Sequence, residues 1–327
     1  MSLSSSVVSD VLAGNRASTV RQYQSAWRAF QLFLRNRPVS HISLSMVLDF
    51  LSYMFHSRQR APPTISTYAA ALADPLWYGF RLDIRGRTWD LMKRGCFLQR
   101  PPSRRPRIFW SLSKVLDLLR SPAFSVEPDP LHLLKKALFL VAMASGLRAS
   151  QLHALVRHPS WLVFSQDGRQ VSIAPSPKFL AKNEREGHVL DPIVLRAWLA
   201  GVTPHPLCPV EALRQYVAAS GRVAHTDRLF LWPDTGKPLS RLHISKTLCS
   251  IIEAADPGKA PKGKDIRAMS STMAFLRHYS LDQARRDGQW ASDHSFVFHY
   301  LDHSLEAIPC TSMAGPPSSR HSVSPPS

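Results

Sequence analysis

Acidic side chains are scarce in this 327-residue chain, which has 23 Asp and Glu against 41 Lys and Arg. The few carboxylates form no cluster of the kind that holds catalytic metal ions in nucleases. The sequence also lacks a P-loop, a GxGxxG turn before a helix and an HExxH helix. These absences argue against metal-dependent nucleases, nucleotide hydrolases and metalloproteases. We therefore expect no metal site, no cofactor and no small-molecule substrate.

The sequence has few cysteines and no long apolar run. Its four cysteines, Cys96, Cys208, Cys249 and Cys310, form no CxxC or CxxH pair. Neither a disulfide framework nor a zinc module is predicted from such a pattern. No apolar stretch approaches the roughly 20 residues that span a bilayer. We expect an intracellular protein that has no membrane partner.

Positive charge is what the chain has in excess. The formal net charge is +18, and the sequence pI is about 10.4. Residues 1–107 contain 16 Lys and Arg against 5 Asp and Glu, so this third carries more than half of the surplus. A surplus of this size indicates a polyanionic partner, and nucleic acid is the leading candidate.

Periodicity and composition predict two domains joined by a basic segment. Residues 1–13 read as a lead-in and 14–99 as a small helical bundle. The segment 100–107, RPPSRRPR, reads as a linker because it combines proline and arginine without apolar periodicity. A larger domain is predicted for 108–305, and the Ser/Pro-rich residues 306–327 are expected to be disordered.

Arginines recur on the polar face of the first predicted helix, ASTVRQYQSAWRAFQLFLRNRP. The apolar residues of this helix have the three-and-four spacing of an amphipathic helix. With the surrounding charge surplus, the arginines on its other face and in the linker are candidate DNA contacts. They are Arg21, Arg28, Arg35, Arg104 and Arg105.

The second predicted domain is mostly helical with a small sheet. The stretch LHLLKKALFLVAMASGLRASQLHAL predicts a mainly apolar helix that is broken at Gly146. WLVFSQDG and RQVSIAPSP predict two strands, and Asp167 with Gly168 forms the kind of turn that closes a hairpin. The predicted fold class is therefore mainly α, with a small antiparallel β-sheet in the second domain.

A tyrosine nucleophile is the economical alternative to metal chemistry in a DNA enzyme. It requires cations on the non-bridging phosphate oxygens and a proton donor for the departing 5′-oxygen. SGLRASQL contains Arg148 just after the helix break, and KDIRAMSSTMAF contains Arg267 with Lys264 three residues earlier. GQW and FHYL then supply Trp290 and Tyr300.

The order of these motifs resembles that of the tyrosine recombinase (phage integrase) superfamily. GLRASQL, a lysine in or after a hairpin, KDIR, GQW and HYL follow the family pattern of Arg, Lys, His/Lys-x-x-Arg, His/Trp and Tyr. The resemblance implies a SAM-like helical core-binding domain and a catalytic domain. It also implies double-stranded DNA as partner and a homotetramer on two DNA sites. PSPKFLAKNEREG and QWASDHSFVFHYL further resemble recombinases of DIRS- and Crypton-type eukaryotic mobile elements, which implies a nuclear protein.

The resemblance assigns roles to individual residues. It makes Arg148 and Arg267 the two phosphate-binding arginines and Tyr300 the nucleophile, while Trp290 stands where the family has His or Trp. Lys182 best matches the position of the general acid. Lys178, which is also a candidate DNA contact, competes for that role.

Two positions depart from the family pattern. Lys264 stands where the family commonly has His, and the related type IB topoisomerases carry Lys at this position. Gln151 stands where the family often has Glu, so it loses the charge and keeps the hydrogen-bonding capacity. Two functions therefore compete with recombination: relaxation of DNA by a type IB topoisomerase-like enzyme, and DNA binding by a catalytically silent relic of a mobile element.

Overall fold

The computed structural model describes residues 16–35, 37, 41–101, 110–180, 191–200, 203–259 and 261–276, together with residues 6 and 14. The chain divides into two compact units, Met1–Pro106 and Arg107–Ser327. Within the described residues, no helix is both long and apolar enough to cross a membrane.

Four helices make up the described part of the first unit. They are α1 (Ala17–Arg35), α2 (Leu44–His56), α3 (Pro62–Phe80) and α4 (Arg87–Gln99). The Ser43 hydroxyl caps α2 by accepting a hydrogen bond from the Met46 N–H at 3.4 Å. α3 begins at Pro62, where a missing N–H costs nothing, and it ends at Phe80, followed by the cap residue Arg81, whose φ of 53° is left-handed.

Aromatic rings from α1 and α2 form the centre of the first unit. The ring centroid of Phe50 lies 5.1 Å from that of Phe30 and 5.4 Å from that of Phe33. Phe30 and Phe50 are fully buried. Trp27 and Leu34, which belong to the predicted apolar stripe of α1, are partly buried and pack against this core. The amphipathic character predicted for α1 is therefore confirmed.

The second unit is also mainly helical. Its described helices are α5 (Leu112–Arg120), α6 (Pro122–Ser125), α7 (Pro130–Ser145), α8 (Ala149–Ala154), α9 (Pro209–Ser220), α10 (Arg241–Ala255) and α11 (Gly263–Leu276). Its described strands are β1 (Leu162–Phe164), β2 (Gln170–Ile173), β3 (Ile193–Arg196), β4 (Leu199–Ala200) and β5 (Thr203–Pro204).

Helix α7 lies in the core of the second unit. Asp129 caps its amino end, where the carboxylate accepts a hydrogen bond from the His132 N–H at 2.7 Å. Leu134, Leu138 and Phe139 of this helix are fully buried. Because α7 is apolar around most of its circumference, it is enclosed by neighbouring elements rather than lying on the surface.

A three-stranded antiparallel sheet has the order β1-β2-β3. Gly168 has a φ of +69°, so the turn between β1 and β2 uses the left-handed conformation that glycine favours. Val171 and Leu195 lie opposite each other on neighbouring strands and both are buried. The predicted hairpin is therefore confirmed, and one face of the sheet contributes to the core.

The carboxylate of Asp256 joins the first helix of the second unit to a much later one. Asp256 follows α10 directly and is 7% exposed. Its two oxygens accept a hydrogen bond from Lys114 Nζ at 2.7 Å and from the Ser111 N–H at 3.1 Å. The Lys114 bond, and then the Ser111 bond, hold the pKa of Asp256 below its ordinary value.

Asp256→Asn should lower the Tm of the protein at neutral pH because the ion pair with Lys114 is lost. A depressed folded-state pKa means that ionised Asp256 stabilises the protein above its unfolded pKa of about 3.9. That contribution disappears as pH falls through the lower folded-state pKa. Thermal unfolding over a range of pH should therefore show a Tm difference from wild type that narrows below about pH 4.

Asp117→Asn is the matched control, since Asp117 forms an ion pair with Arg120 at the surface. Exposed pairs contribute little, so this variant should have nearly the wild-type Tm throughout. A Tm difference for Asp256→Asn that does not change with pH would contradict the ion-pair explanation.

Candidate active site

The chain turns sharply between α7 and α8, where SGLRAS was predicted to interrupt the helix. Gly146 has φ 60° and ψ 20°, and its N–H donates to the Ala142 carbonyl. The Leu147 N–H donates instead to the Ser145 hydroxyl at 3.3 Å. α8 begins immediately afterwards at Ala149. Arg148 therefore lies at the bend between two helices, as the sequence predicted.

Gln151 fixes the backbone of Arg148. The Arg148 N–H donates a hydrogen bond to Gln151 Oε1 at 3.0 Å. Gln151 is 3% exposed, whereas Arg148 is half-buried. A neutral amide therefore accepts the hydrogen bond from the first free N–H of α8. The tyrosine recombinases that the sequence resembles often have Glu at this position. The hydrogen-bonding capacity expected of Gln151 is used in this way.

Arg267 reaches the same turn from α11. Its side chain is buried, at 4% exposure, and Nη1 donates to the Gly146 carbonyl at 2.6 Å. Gly146 precedes Arg148 by two residues. The contact brings the two arginines predicted to bind phosphate to one short stretch of backbone, although 119 positions separate them in the sequence.

A second bond holds α11 against α7. Ser270 lies one turn after Arg267, and its hydroxyl donates to the Met143 carbonyl at 2.6 Å. The adjacent Ser271 hydroxyl bonds within its own helix, to the Arg267 carbonyl. Ser270 was not predicted as a site residue. The sequence did indicate that Ser270 shares a helix face with Arg267, because the two residues are three positions apart.

Lys264 lies in the first turn of α11 and is exposed. The carboxylate of Asp265 accepts a hydrogen bond from the Lys262 N–H at 2.7 Å, which stabilises the start of this helix. Since Lys264 and Arg267 are three residues apart, they lie on the same side of α11.

The loop after β2 carries Lys178, which is exposed. This loop is attached to the end of α8, where the Ser176 N–H donates to the Ala154 carbonyl at 2.8 Å. Six residues of α-helix separate Arg148 from Ala154, a rise of about 9 Å. The loop is therefore anchored close to the arginine turn. Lys182, Trp290 and Tyr300 lie outside the described residues.

Arg157 is a further arginine of the second unit that lies outside the predicted motifs. Its guanidinium donates to the carbonyls of Arg228 and Leu229 and to the Ser220 hydroxyl. These bonds join the segment after α8 to the last residue of α9 and to the chain that follows it. Arg157 therefore stabilises the fold, and we do not include it in the candidate site. Among the described residues, no group of His, Cys, Asp or Glu side chains is arranged to hold a metal ion.

Solved structures of DNA-bound recombinases are similar to this chain. A lambda integrase dimer bound to a COC′ core site is similar, with a TM-score of 0.55, 15% identity, and coverage of 96% of this chain and 100% of that one. XerH site-specific recombinase in a post-cleavage complex with palindromic difH substrate gives a TM-score of 0.59 at 15% identity, covering 92% and 82%.

Two further complexes have the same architecture. A lambda integrase tetramer bound to a Holliday junction gives a TM-score of 0.52 at 16% identity, covering 90% of this chain and 74% of that one. The Tn1549 transposon integrase in complex with transposon right-end DNA gives 0.57 at 13% identity, covering 89% and 91%. The chain has the tyrosine-recombinase fold. No protein-family model and no curated protein matches it.

The tyrosine-recombinase fold has a helical core-binding domain and a catalytic domain with a small sheet, and the two units of this chain have these compositions. Arg148, Arg267 and Lys264 all belong to the second unit. The fold class predicted from the sequence is therefore confirmed, whereas the roles of the individual residues remain predictions.

Three arginines predicted to bind DNA lie on α1. Arg21, Arg28 and Arg35 are all exposed. Successive members are seven residues apart, which places them on nearly the same helix face at intervals of about 10.5 Å. This basic row can contact several phosphates along one backbone. Arg104 and Arg105 lie outside the described residues.

Gln151→Met should lower the free energy of unfolding by about 1–2 kcal/mol, because the Arg148 N–H loses its acceptor at the start of α8. Urea titration followed by circular dichroism measures this change. Gln215→Met is the control, since Gln215 is exposed and bonds only at the surface of α9. It should change stability by less than about 0.5 kcal/mol. Equal losses of stability in the two variants would show that the hydrogen bond from the Arg148 N–H to Gln151 does not stabilise the protein.

Proposed function

We propose that this protein is a site-specific DNA recombinase or integrase that cuts and rejoins DNA through a 3′-phosphotyrosyl intermediate. The observation that carries the proposal is the bond from Arg267 to the Gly146 carbonyl, which joins two arginine motifs that are distant in sequence. The tyrosine-recombinase fold and the positive charge of the chain support it further.

The two arginines bind the phosphate that is cut. Arg148 and Arg267 each supply a guanidinium, and together they neutralise charge on the non-bridging oxygens as the phosphorus becomes five-coordinate. Burial of Arg267 strengthens its interaction with the phosphate because little water competes. Lys264, on the same side of α11, adds positive charge at the position where the family has His.

Tyr300 is the nucleophile. Its phenolic oxygen loses its proton to solvent and forms a bond to phosphorus, the bond to the 5′-oxygen breaks, and a lysine gives that oxygen its proton. Lys182 is the first candidate for this acid, and Lys178 is the second. Trp290 donates its indole N–H to a phosphate oxygen and packs beside the tyrosine. A 5′-hydroxyl from a partner strand then attacks the phosphotyrosine, so the phosphodiester bond is restored without a nucleotide cofactor.

The substrate is double-stranded DNA, and both units contribute positive charge to its binding. Arg21, Arg28 and Arg35 contact the backbone on the core-binding side, and Arg104 and Arg105 follow it through the linker. Four copies assemble on two DNA sites. Lambda integrase, in the complex described above, forms such a tetramer on a Holliday junction. We further propose an origin in a DIRS- or Crypton-type mobile element and a nuclear location.

Tyr300→Phe should abolish formation of a covalent protein–DNA adduct while DNA affinity stays within about twofold of wild type. A binding duplex is first selected from a randomised pool with the full chain. A series of copies of that duplex, each nicked at a different position, is then incubated with the protein in EDTA. A nick near the cut site lets the short 5′-hydroxyl fragment leave, so the adduct accumulates on a denaturing gel.

Tyr78→Phe is the control, since Tyr78 is an exposed tyrosine of α3, and it should form adduct at the wild-type rate. Adduct that persists in Tyr300→Phe would exclude this residue as the nucleophile. Bound DNA without any adduct in the wild type would favour the catalytically silent relic. Relaxed circles without strand exchange between two sites would favour the topoisomerase.

Lys182→Met and Lys178→Met can identify the general acid. Loss of the acid should slow cleavage by about 10²–10⁴-fold on ordinary DNA. A duplex with sulfur in place of the bridging 5′-oxygen needs no acid, because a thiol with a pKa of about 8.5 leaves as the thiolate. Cleavage of that duplex by the variant lacking the acid should be close to wild type.

The second lysine variant is the internal control in this experiment. A lysine that only binds the backbone should lose the same factor on both substrates. If sulfur restores cleavage to neither variant, both assignments of the acid are wrong.

A further inference from the structure

Side chains of the distant helix α11 donate hydrogen bonds at the carboxyl end of α7. The last four carbonyls of an α-helix have no partner within the helix. At the end of α7, the Met143 carbonyl accepts from the Ser270 hydroxyl and the Gly146 carbonyl accepts from Arg267 Nη1, both at 2.6 Å. Two side chains of α11 therefore supply hydrogen-bond donors to one carbonyl at the end of α7 and to one in the turn that follows it.

Ser270 is seated closely against this turn. Its residue exposure is 9%, and a Cβ added at Gly146 would lie 3.4 Å from its hydroxyl oxygen. Ser270 and Arg267 project from the same side of α11, since they are three residues apart. A shift of α11 along or around its axis would therefore move both contacts together.

We propose that Ser270 is a positioning residue for the two phosphate-binding arginines. Its hydroxyl fixes the register of α11 on the end of α7, so that the Arg267 guanidinium lies beside the turn that carries Arg148. The inference depends on the proposed function, because it assigns Ser270 to the cleavage step of that reaction. Displacement of a positioning contact by about 1 Å can reduce a rate by as much as 10²-fold.

The neighbouring serine provides a matched control. Ser271 is also buried, at 3% exposure, and its hydroxyl donates to the Arg267 carbonyl within α11. Ser271→Ala removes a buried hydroxyl from the same helix without removing a contact to α7. Ser270→Ala removes the contact to α7. The two variants thus separate a shift of α11 from the general effect of deleting a serine.

The experiment measures the rate of adduct formation at saturating DNA for wild type, Ser270→Ala and Ser271→Ala. Each protein is tested on two nicked duplexes of the selected sequence, one with an ordinary scissile phosphate and one with a methylphosphonate. The methylphosphonate has a methyl group in place of one charged oxygen, so it depends less on precisely placed cations. DNA affinity and Tm are measured for all three proteins.

Ser270→Ala is expected to cleave the ordinary phosphate about tenfold or more slowly than wild type, with DNA affinity unchanged within about twofold. Its deficit relative to wild type should shrink on the methylphosphonate, and Ser271→Ala should match wild type on both duplexes. If Ser270→Ala does not fold, Ser270→Cys replaces it. The thiol is a weak donor of similar shape, so an intermediate rate is expected.

Three results would overturn the inference. A wild-type rate in Ser270→Ala would show that the bond to Met143 has no part in cleavage. An equal deficit on both duplexes would indicate loss of folded protein instead of misplaced arginines. Absence of adduct from the wild type on both duplexes would overturn the proposed function itself, and the positioning role with it.

Discussion

The carboxyl end of α7 is the point on which the second unit depends. A buried helix end has carbonyls that need donors, and it carries partial negative charge from the aligned peptide dipoles. Arg267 supplies both a donor and a positive charge there, through its bond to the Gly146 carbonyl. The same contact joins α11 to the turn after α7 and brings the two arginine motifs together. Assembly of the candidate site is therefore inseparable from folding of this unit.

Gly146 makes this arrangement possible through its backbone conformation. With φ at 60°, the chain leaves α7 in the left-handed region, which side chains other than glycine adopt at a cost. The turn is short, so Arg148 follows after a single intervening residue. Gln151 then holds the Arg148 N–H and starts α8 at a defined position. Both arginine motifs are consequently positioned by contacts to the backbone, and in the proposed function this preorganisation would reduce the reorganisation needed at the transition state.

The first unit presents a different kind of surface. Its core is built from aromatic rings of α1 and α2, and the opposite face of α1 carries Arg21, Arg28 and Arg35 in contact with solvent. Such a row binds the backbone of DNA without requiring a particular sequence. The second unit holds the buried arginine of the candidate site. In the proposed function, the first unit supplies electrostatic affinity and the second unit supplies the chemistry.

Much of this architecture could be predicted from short stretches of sequence. Ser43, Asp129 and the Pro62 dipeptide mark helix starts, and Asp167 with Gly168 marks the hairpin, because each acts on backbone groups within a few residues. The positions of Arg148 and Arg267 as candidates also followed from their motifs. The role of Ser270 did not, because a serine in a helix gives no local indication of the carbonyl that it will meet.

By itself, the sequence determined the helices, the hairpin, the basic face of α1 and the candidate arginines, since periodicity and capping are encoded among near neighbours. Tertiary structure alone decided which groups meet. Arg267 bonds to Gly146 across 121 positions, Ser270 to Met143 across 127, and Asp256 to Ser111 across 145. These pairs form because packing of the helices around α7 brings together polar groups that are distant in sequence, and buried polar groups need hydrogen-bond partners; that constraint exists only once the core has assembled.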